Sequence, residues 1–107
     1  MNFGTNDANG ADGMVFVLQT AGTNAIGESG GGIGFNGFDP SFGVEFDTWQ
    51  NNKYGDPFGD HIAFVSNGFV SHNAPTALGG PVLATASGSN IEDGQDHVVS
   101  IQWSPAE

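Results

Sequence analysis

Glu45, Asp47, Asn51, Asp56 and His61 fall within one short stretch of the chain, and all five are side chains that ligate cations. Glu45 and Asp47 stand two positions apart, the spacing that puts both carboxylates on one face of an extended strand. Ca²⁺ collects about six to eight oxygens at about 2.3–2.6 Å, and Asp47, Asn51, Asp56, a loop carbonyl and waters supply such a shell. With His61 added, the set suits a transition ion such as Mn²⁺. The competing reading is a solvated acidic strand face followed by an ordinary polar turn over 52–57. A histidine standing alone is more often a satisfied surface or core residue than a ligand, so His72 and His97 are left out of the site.

The elements that must position these residues follow from alternation. Phe42, Val44, Phe46 and Thr48 alternate with Gly43, Glu45, Asp47 and Trp49, which predicts a strand over 42–49 with core on one face and acid on the other. From His61 to Ser66, Ile62 and Phe64 fall opposite His61, Ala63 and Val65. If the two strands pair antiparallel with Phe46 and Ile62 facing the core, Glu45, Asp47 and His61 share the other face and the intervening loop closes over a cation. Met14 to Leu18 is an uninterrupted apolar run, predicting a strand buried on both faces. A further strand is predicted from His97 to Trp103 and a weak one over 82–86. No window repeats apolar residues at helical spacing, so the chain reads as all-β. The glycine- and asparagine-rich segment 21–39 reads as a long loop, and 67–80 as a second irregular stretch.

Composition narrows the possibilities. A chain of 107 residues has room for one domain, and two independent cores are excluded. One Lys or Arg stands against twelve Asp plus Glu, a net charge of −11, so nucleic acid and anionic membrane surfaces are repelled while multivalent cations are attracted. With no cysteine, a disulfide framework, a zinc–thiolate site and a thiol nucleophile are all excluded. Eighteen Gly beside nine Phe and two Trp indicate turns and strands with a core, not disorder. No apolar run approaches the roughly 20 residues that span a bilayer, which argues against membrane insertion, and any export signal is expected outside this chain. Gly31-Gly32-Ile33-Gly34 lacks the Gly-Lys-Ser end of a P-loop and occurs once, where a Ca²⁺-binding nonapeptide array repeats.

Four ordered segments resemble the L-type lectins, the legume-lectin-like family, especially its bacterial surface-protein members. They are Gly10-Ala11-Asp12-Gly13-Met14-Val15-Phe16, Gly30-Gly31-Gly32-Ile33-Gly34-Phe35, Val44-Glu45-Phe46-Asp47-Thr48-Trp49-Gln50-Asn51, and Asp56-Pro57 with His61-Ile62. The resemblance implies an antiparallel, concanavalin-like jelly-roll β-sandwich. It implies one domain over residues 1–107 that lacks the family's N- and C-terminal strands, in a protein of the cell surface or extracellular space. By the same resemblance Asp12 is the sugar-binding aspartate, following a cis Ala11–Asp12 bond. Gly31 offers a backbone N–H to a sugar hydroxyl, Asn51 joins Ca²⁺ to the sugar, and Trp49 stacks on a pyranose. Asp47 and Asp56 bridge two metals, Trp49 gives its carbonyl to Ca²⁺, and Glu45 with His61 completes a site for Mn²⁺ or another transition ion. The spacing of Asn51, Asp56 and His61 departs from the plant pattern, which reshapes the metal loop.

The function implied is Ca²⁺-dependent carbohydrate binding without catalysis, with glycans or polysaccharide as partners. A β-sandwich glycosidase of the laminarinase-like type is the alternative, because Glu45-x-Asp47 resembles the start of its Glu-x-Asp-x-x-Glu motif. Trp49 and Gln50 stand where its second Glu belongs, and a retaining hydrolase needs two carboxyl groups. A third reading keeps fold and metal as a structural adhesion module without sugar binding.

Overall fold

The computed structural model describes residues 1–74, 77–84 and 90–105. Its framework is one antiparallel sheet of four strands in the order β1 (Gly13–Gln19), β2 (Ser41–Asp47), β3 (His61–Ser66) and β4 (Gly79–Leu83). Among the described residues there is no α-helix, only single 3₁₀ turns at Gly30–Gly32 and Asn52–Tyr54. The fold is all-β.

The expected pairing of the two alternating segments is present. Phe46 lies opposite Ile62, Glu45 opposite Ala63 and Asp47 opposite His61. On the other side of β2, Glu45 faces Val15 and Asp47 faces Gly13. Side chains alternate across the sheet, so Val15, Glu45 and Ala63 share one face with Gly13, Asp47 and His61. β2 ends at Asp47, two residues short of the predicted end. The Asp47 Oδ1 accepts the Trp49 backbone N–H at 2.7 Å, a local bond that turns the chain out of the ladder.

Each face carries its own apolar cluster. Phe35, Val65 and Val70, with Val15, Val17, Ile33, Phe38 and Tyr54 against them, fill the space between the acid-bearing face and the 21–39 and 67–70 loops. Gly43 is required there because a Cβ would sit 2.7 Å from Val15 Cγ1 and 3.0 Å from Val65 Cγ2. On the opposite face Val44, Phe46 and Ile91 pack with Phe3, Phe42, Ile62 and Ala84.

Three expectations are corrected. β1 is not buried on both faces: among the described residues only β2 pairs with it, and Met14, Phe16 and Leu18 are exposed. An apolar run records which residues can be buried, not how many layers cover them. Residues 97–103 form no strand; His97 donates its N–H to the Met1 carbonyl, and Val98 lies in the open. The weak strand begins earlier than predicted, at Gly79, and 85–86 lie outside the described residues. The segments 21–39 and 67–74 carry no strand.

Candidate functional site

Asp47 ends β2 and His61 begins β3, so the antiparallel register sets their backbones side by side with Glu45 one pleat further in. All three are enclosed, Glu45 1 %, Asp47 2 % and His61 0 % exposed, which overturns the picture of a solvated acidic face. The cover comes from two segments. The loop after β2 delivers Asp56, itself buried, and accepts from its own backbone: the Asn51 N–H donates to Asp56 Oδ2 at 2.6 Å. The segment after β3 is tied to that loop by the His72 N–H, which donates to the Tyr54 carbonyl at 2.8 Å.

This second segment brings in a residue that sequence reasoning set aside. The His72 Nε2 lies 3.3 Å from Glu45 Oε2, 3.5 Å from Asp56 Oδ1 and 3.2 Å from His61 Nε2. Two overlapping groups result. Glu45, His61 and His72, and likewise Asp47, Asp56 and His61, each offer one donor atom within 4.8 Å of the others. Nothing local in the sequence marks His72, since the loop that carries it reaches the site only in three dimensions. His97, by contrast, pairs with Asp93 at 3.0 Å on the surface, away from the cluster.

The electrostatics of the group are unfavourable when only protons are available to it. Burial first, then the charges of Asp47 and Asp56, pushes the Glu45 carboxyl up from 4.5 to about 8. Burial likewise raises Asp47 from 3.8 to about 7, against the Trp49 N–H and with the help of Asp56 and Asp12. Burial lowers the pKa of both imidazoles while Asp56 works in the other direction. Glu45 Oε2 is buried and makes no hydrogen bond. Crowded carboxylates and imidazoles with an orphaned oxygen form a donor set of the kind that divalent cations take.

Beside the buried group lies a second, more open cluster. The Asp12 carbonyl accepts the Thr48 N–H at 3.0 Å, which fixes the Asp12 backbone at the end of β2, and the Ala11–Asp12 bond is cis. Across from it runs the 3₁₀ turn Gly30–Gly32. A Cβ on Gly30 would lie 3.9 Å from Asp12 Oδ2, and one on Gly31 would lie 2.5 Å from Asn51 Oδ1. Asp12, Gly31 and Asn51, distant in sequence, therefore meet around one point, with the backbone bare at Gly31. The Trp49 carbonyl accepts from Asn51 Nδ2 at 3.1 Å, and Trp49 is 43 % exposed.

A family model, the legume lectin beta-barrel domain, matches residues 1–107, the whole chain. The chain belongs to the legume lectin family. Legume lectin domains in general bind carbohydrate and metal ions and are not catalysts. Among the described residues of this lectin domain, the acidic and histidine groups above are candidates to hold an ion. The apolar concavity of about 660 Å³ lined by Phe16, Leu18, Phe42, Ile101 and Trp103 faces away from them, and its lining holds one imidazole, His97, and no carboxylate side chain.

Proposed function

We propose that this lectin domain is a non-catalytic, Ca²⁺-dependent carbohydrate-binding module of a secreted or cell-surface bacterial protein. The observation that carries the reading is the meeting of Asp12, Gly31 and Asn51 next to the buried carboxylates. Asp47, Asn51, Asp56 and the Trp49 carbonyl would hold Ca²⁺, and Glu45 with Asp47, Asp56 and His61 would hold a transition ion. A bound cation supplies charge neutralisation and rigidity to the loop.

The remaining work belongs to the chain's own groups. The Asp12 carboxylate accepts from sugar hydroxyls, and the Gly31 N–H donates to one. The Asn51 amide sits between the Trp49 carbonyl and Gly31. Turned over, it presents Oδ1 beside that carbonyl and Nδ2 toward Gly31, an oxygen for the ion and a donor for the glycan. The exposed Trp49 ring offers a face to the apolar side of a pyranose. Holding these groups in place before the sugar arrives reduces the ordering cost of binding. Single-site affinity is weak in such an arrangement, and several copies supply avidity.

Burial of Glu45 and Asp47 also speaks against the glycosidase alternative. A retaining hydrolase presents two carboxyl groups about 5–5.5 Å apart on either side of a glycosidic bond. At 1 % and 2 % exposed, Glu45 and Asp47 leave no room for a sugar between them. A purely structural adhesion module would need the ligands but not Asp12 opposite a bare Gly31. Net charge of −11 opposes nucleic acid as a partner.

Two measurements test the proposal. Chelator-stripped protein is melted while Ca²⁺ is titrated in; a saturable rise of several degrees is expected, because a ligand that binds only the folded state stabilises it by mass action. Glycan binding is then compared for the parent chain and Asp12→Ala. The substitution should abolish binding and leave the Ca²⁺ response intact. A cooperative melt indifferent to Ca²⁺, or glycan binding that survives Asp12→Ala, overturns the reading.

A further inference from the structure

His72 has no role in the carbohydrate site outlined above, yet its imidazole points into the same enclosed group as Glu45, Asp56 and His61. We propose that His72 is a direct ligand of the second cation, so that the site carries two imidazoles and prefers Zn²⁺ to Mn²⁺. This rests on the reading of the buried acidic group as a cation site and adds to it a residue and an ion preference.

Separations between donor atoms carry the first part of the inference. His72 Nε2 stands 3.2 Å from His61 Nε2, 3.3 Å from Glu45 Oε2 and 3.5 Å from Asp56 Oδ1, and His61 Nε2 is 3.8 Å from the same Asp56 oxygen. Ligands at about 2.0–2.2 Å from a tetrahedral Zn²⁺ are separated by about 3.3–3.6 Å, the range these distances bracket. The two rings meet edge to face at 83°, with centroids 5.2 Å apart, so the nitrogens converge and the rings do not stack.

Donor chemistry carries the second part. The distances alone would also suit a larger ion, but Ca²⁺ takes oxygen ligands and leaves imidazole to Zn²⁺, Ni²⁺ and Cu²⁺. A hydrogen bond between the two imidazoles does not account for the group. It occupies one proton and leaves Glu45 Oε2 buried and without a hydrogen bond, a cost that a shared cation removes. Delivery of His72 is built into the backbone. Its N–H is held by the Tyr54 carbonyl, and a Cβ on Gly55 would lie 2.5 Å from Asn73 Oδ1, so the two covering segments are closely packed.

The test titrates Zn²⁺ and, separately, Mn²⁺ into the Ca²⁺-saturated chain by calorimetry, for the parent, His72→Ala and His72→Asn. The parent should bind one Zn²⁺ beyond its Ca²⁺, more tightly than Mn²⁺. Loss of an outer-shell partner typically weakens a metal about 10–100-fold, so loss of a direct ligand should weaken Zn²⁺ by about a hundredfold or more in both variants. Mn²⁺ should weaken much less, and the Ca²⁺-induced rise in melting temperature should persist. Equal weakening of all three ions would mark His72 as structural only and overturn the inference. So would Zn²⁺ affinity within tenfold of the parent, or a parent that takes up no Zn²⁺. In case neither variant folds, Co²⁺ is added to the parent and imidazole proton resonances are read by NMR. Two paramagnetically shifted imidazoles support the inference and one overturns it. Loss of the Ca²⁺ response in the parent with Zn²⁺ binding intact would instead defeat the calcium loop and leave the role of His72 standing.

Discussion

On one face of the sheet Glu45, Asp47 and His61 are 1 %, 2 % and 0 % exposed, while across from them Phe16, Leu18, Phe64 and Val82 are 41 %, 52 %, 50 % and 60 % exposed. These three polar side chains lie deeper than those four apolar ones. The acidic face is deep because two loops, anchored by Asp56 and His72, close over it; the apolar face is shallow because Phe3, Ile91 and Trp103 cover only part of it. Buried carboxylates and an exposed apolar row are the two departures from ordinary protein surfaces that carry information. They differ in what they indicate. The buried acids form a donor set of the kind that cations take; the apolar row, with no charge complement, does not identify what it meets.

The contrast can be broken at four points, in descending order of effect. Phe35→Ala beneath the acidic face should cost about 3–5 kcal/mol in denaturant unfolding, whereas Phe64→Ala on the apolar face should cost less than about 1 kcal/mol. Equal costs would mean that both faces are covered in solution. Next, Asp47→Asn should weaken Ca²⁺ by about a hundredfold, since it removes a charge from an oxygen shell that depends on charge. In chelator the same variant should melt no lower than the parent, because the substituted amide buries no charge and its oxygen still accepts the Trp49 N–H. Gly31→Ala should lower glycan affinity about tenfold, as its Cβ would strike the Asn51 amide, 2.5 Å away.

The smallest effect concerns pH. Glu45 and Asp47 hold their protons more tightly folded than unfolded, with folded values of about 8 and about 7. The folded state therefore binds more protons across that window, and stability in chelator falls as pH rises from about 6.5 to 8. Below that window the lowered pKa of His61 and His72 acts in the reverse sense, since the unfolded chain then binds the extra protons. Melting temperature should drop by a few degrees between about pH 6.5 and 8 in chelator, and excess Ca²⁺ should abolish the drop. A flat profile in chelator would show that the carboxylates are not buried in solution.

Much of this arrangement was legible in the sequence. Alternation in 42–47 and 61–66 contained the antiparallel register, and with it the placing of Glu45, Asp47 and His61 on one face. The four lectin-like segments anticipated the cis bond before Asp12. Burial was not legible, because an i, i+2 pair of acids on a strand looks the same beneath a loop as in water. His72 was not legible either; its nearest functional neighbour in sequence, His61, lies eleven residues away, and only closure of the loop joins them. The apolar run at 14–18 and the apolar-rich segment 97–103 misled for a common reason. Apolar side chains favour burial wherever a partner surface exists, but the sequence of a segment does not say whether one does.

Trp49 joins the buried group to the open cluster beside it. Its backbone N–H is held by Asp47, its carbonyl by Asn51, and its indole ring stands partly in solvent. A cation that reorganises Asp47 and Asn51 must move the backbone that carries this chromophore, and a sugar that stacks on the ring must dehydrate it. The domain therefore contains its own optical gauge: ultraviolet emission should change once with Ca²⁺ and again, toward the blue, with saccharide. Trp103, 73 % exposed on the other face, contributes a steady background that Trp103→Phe removes.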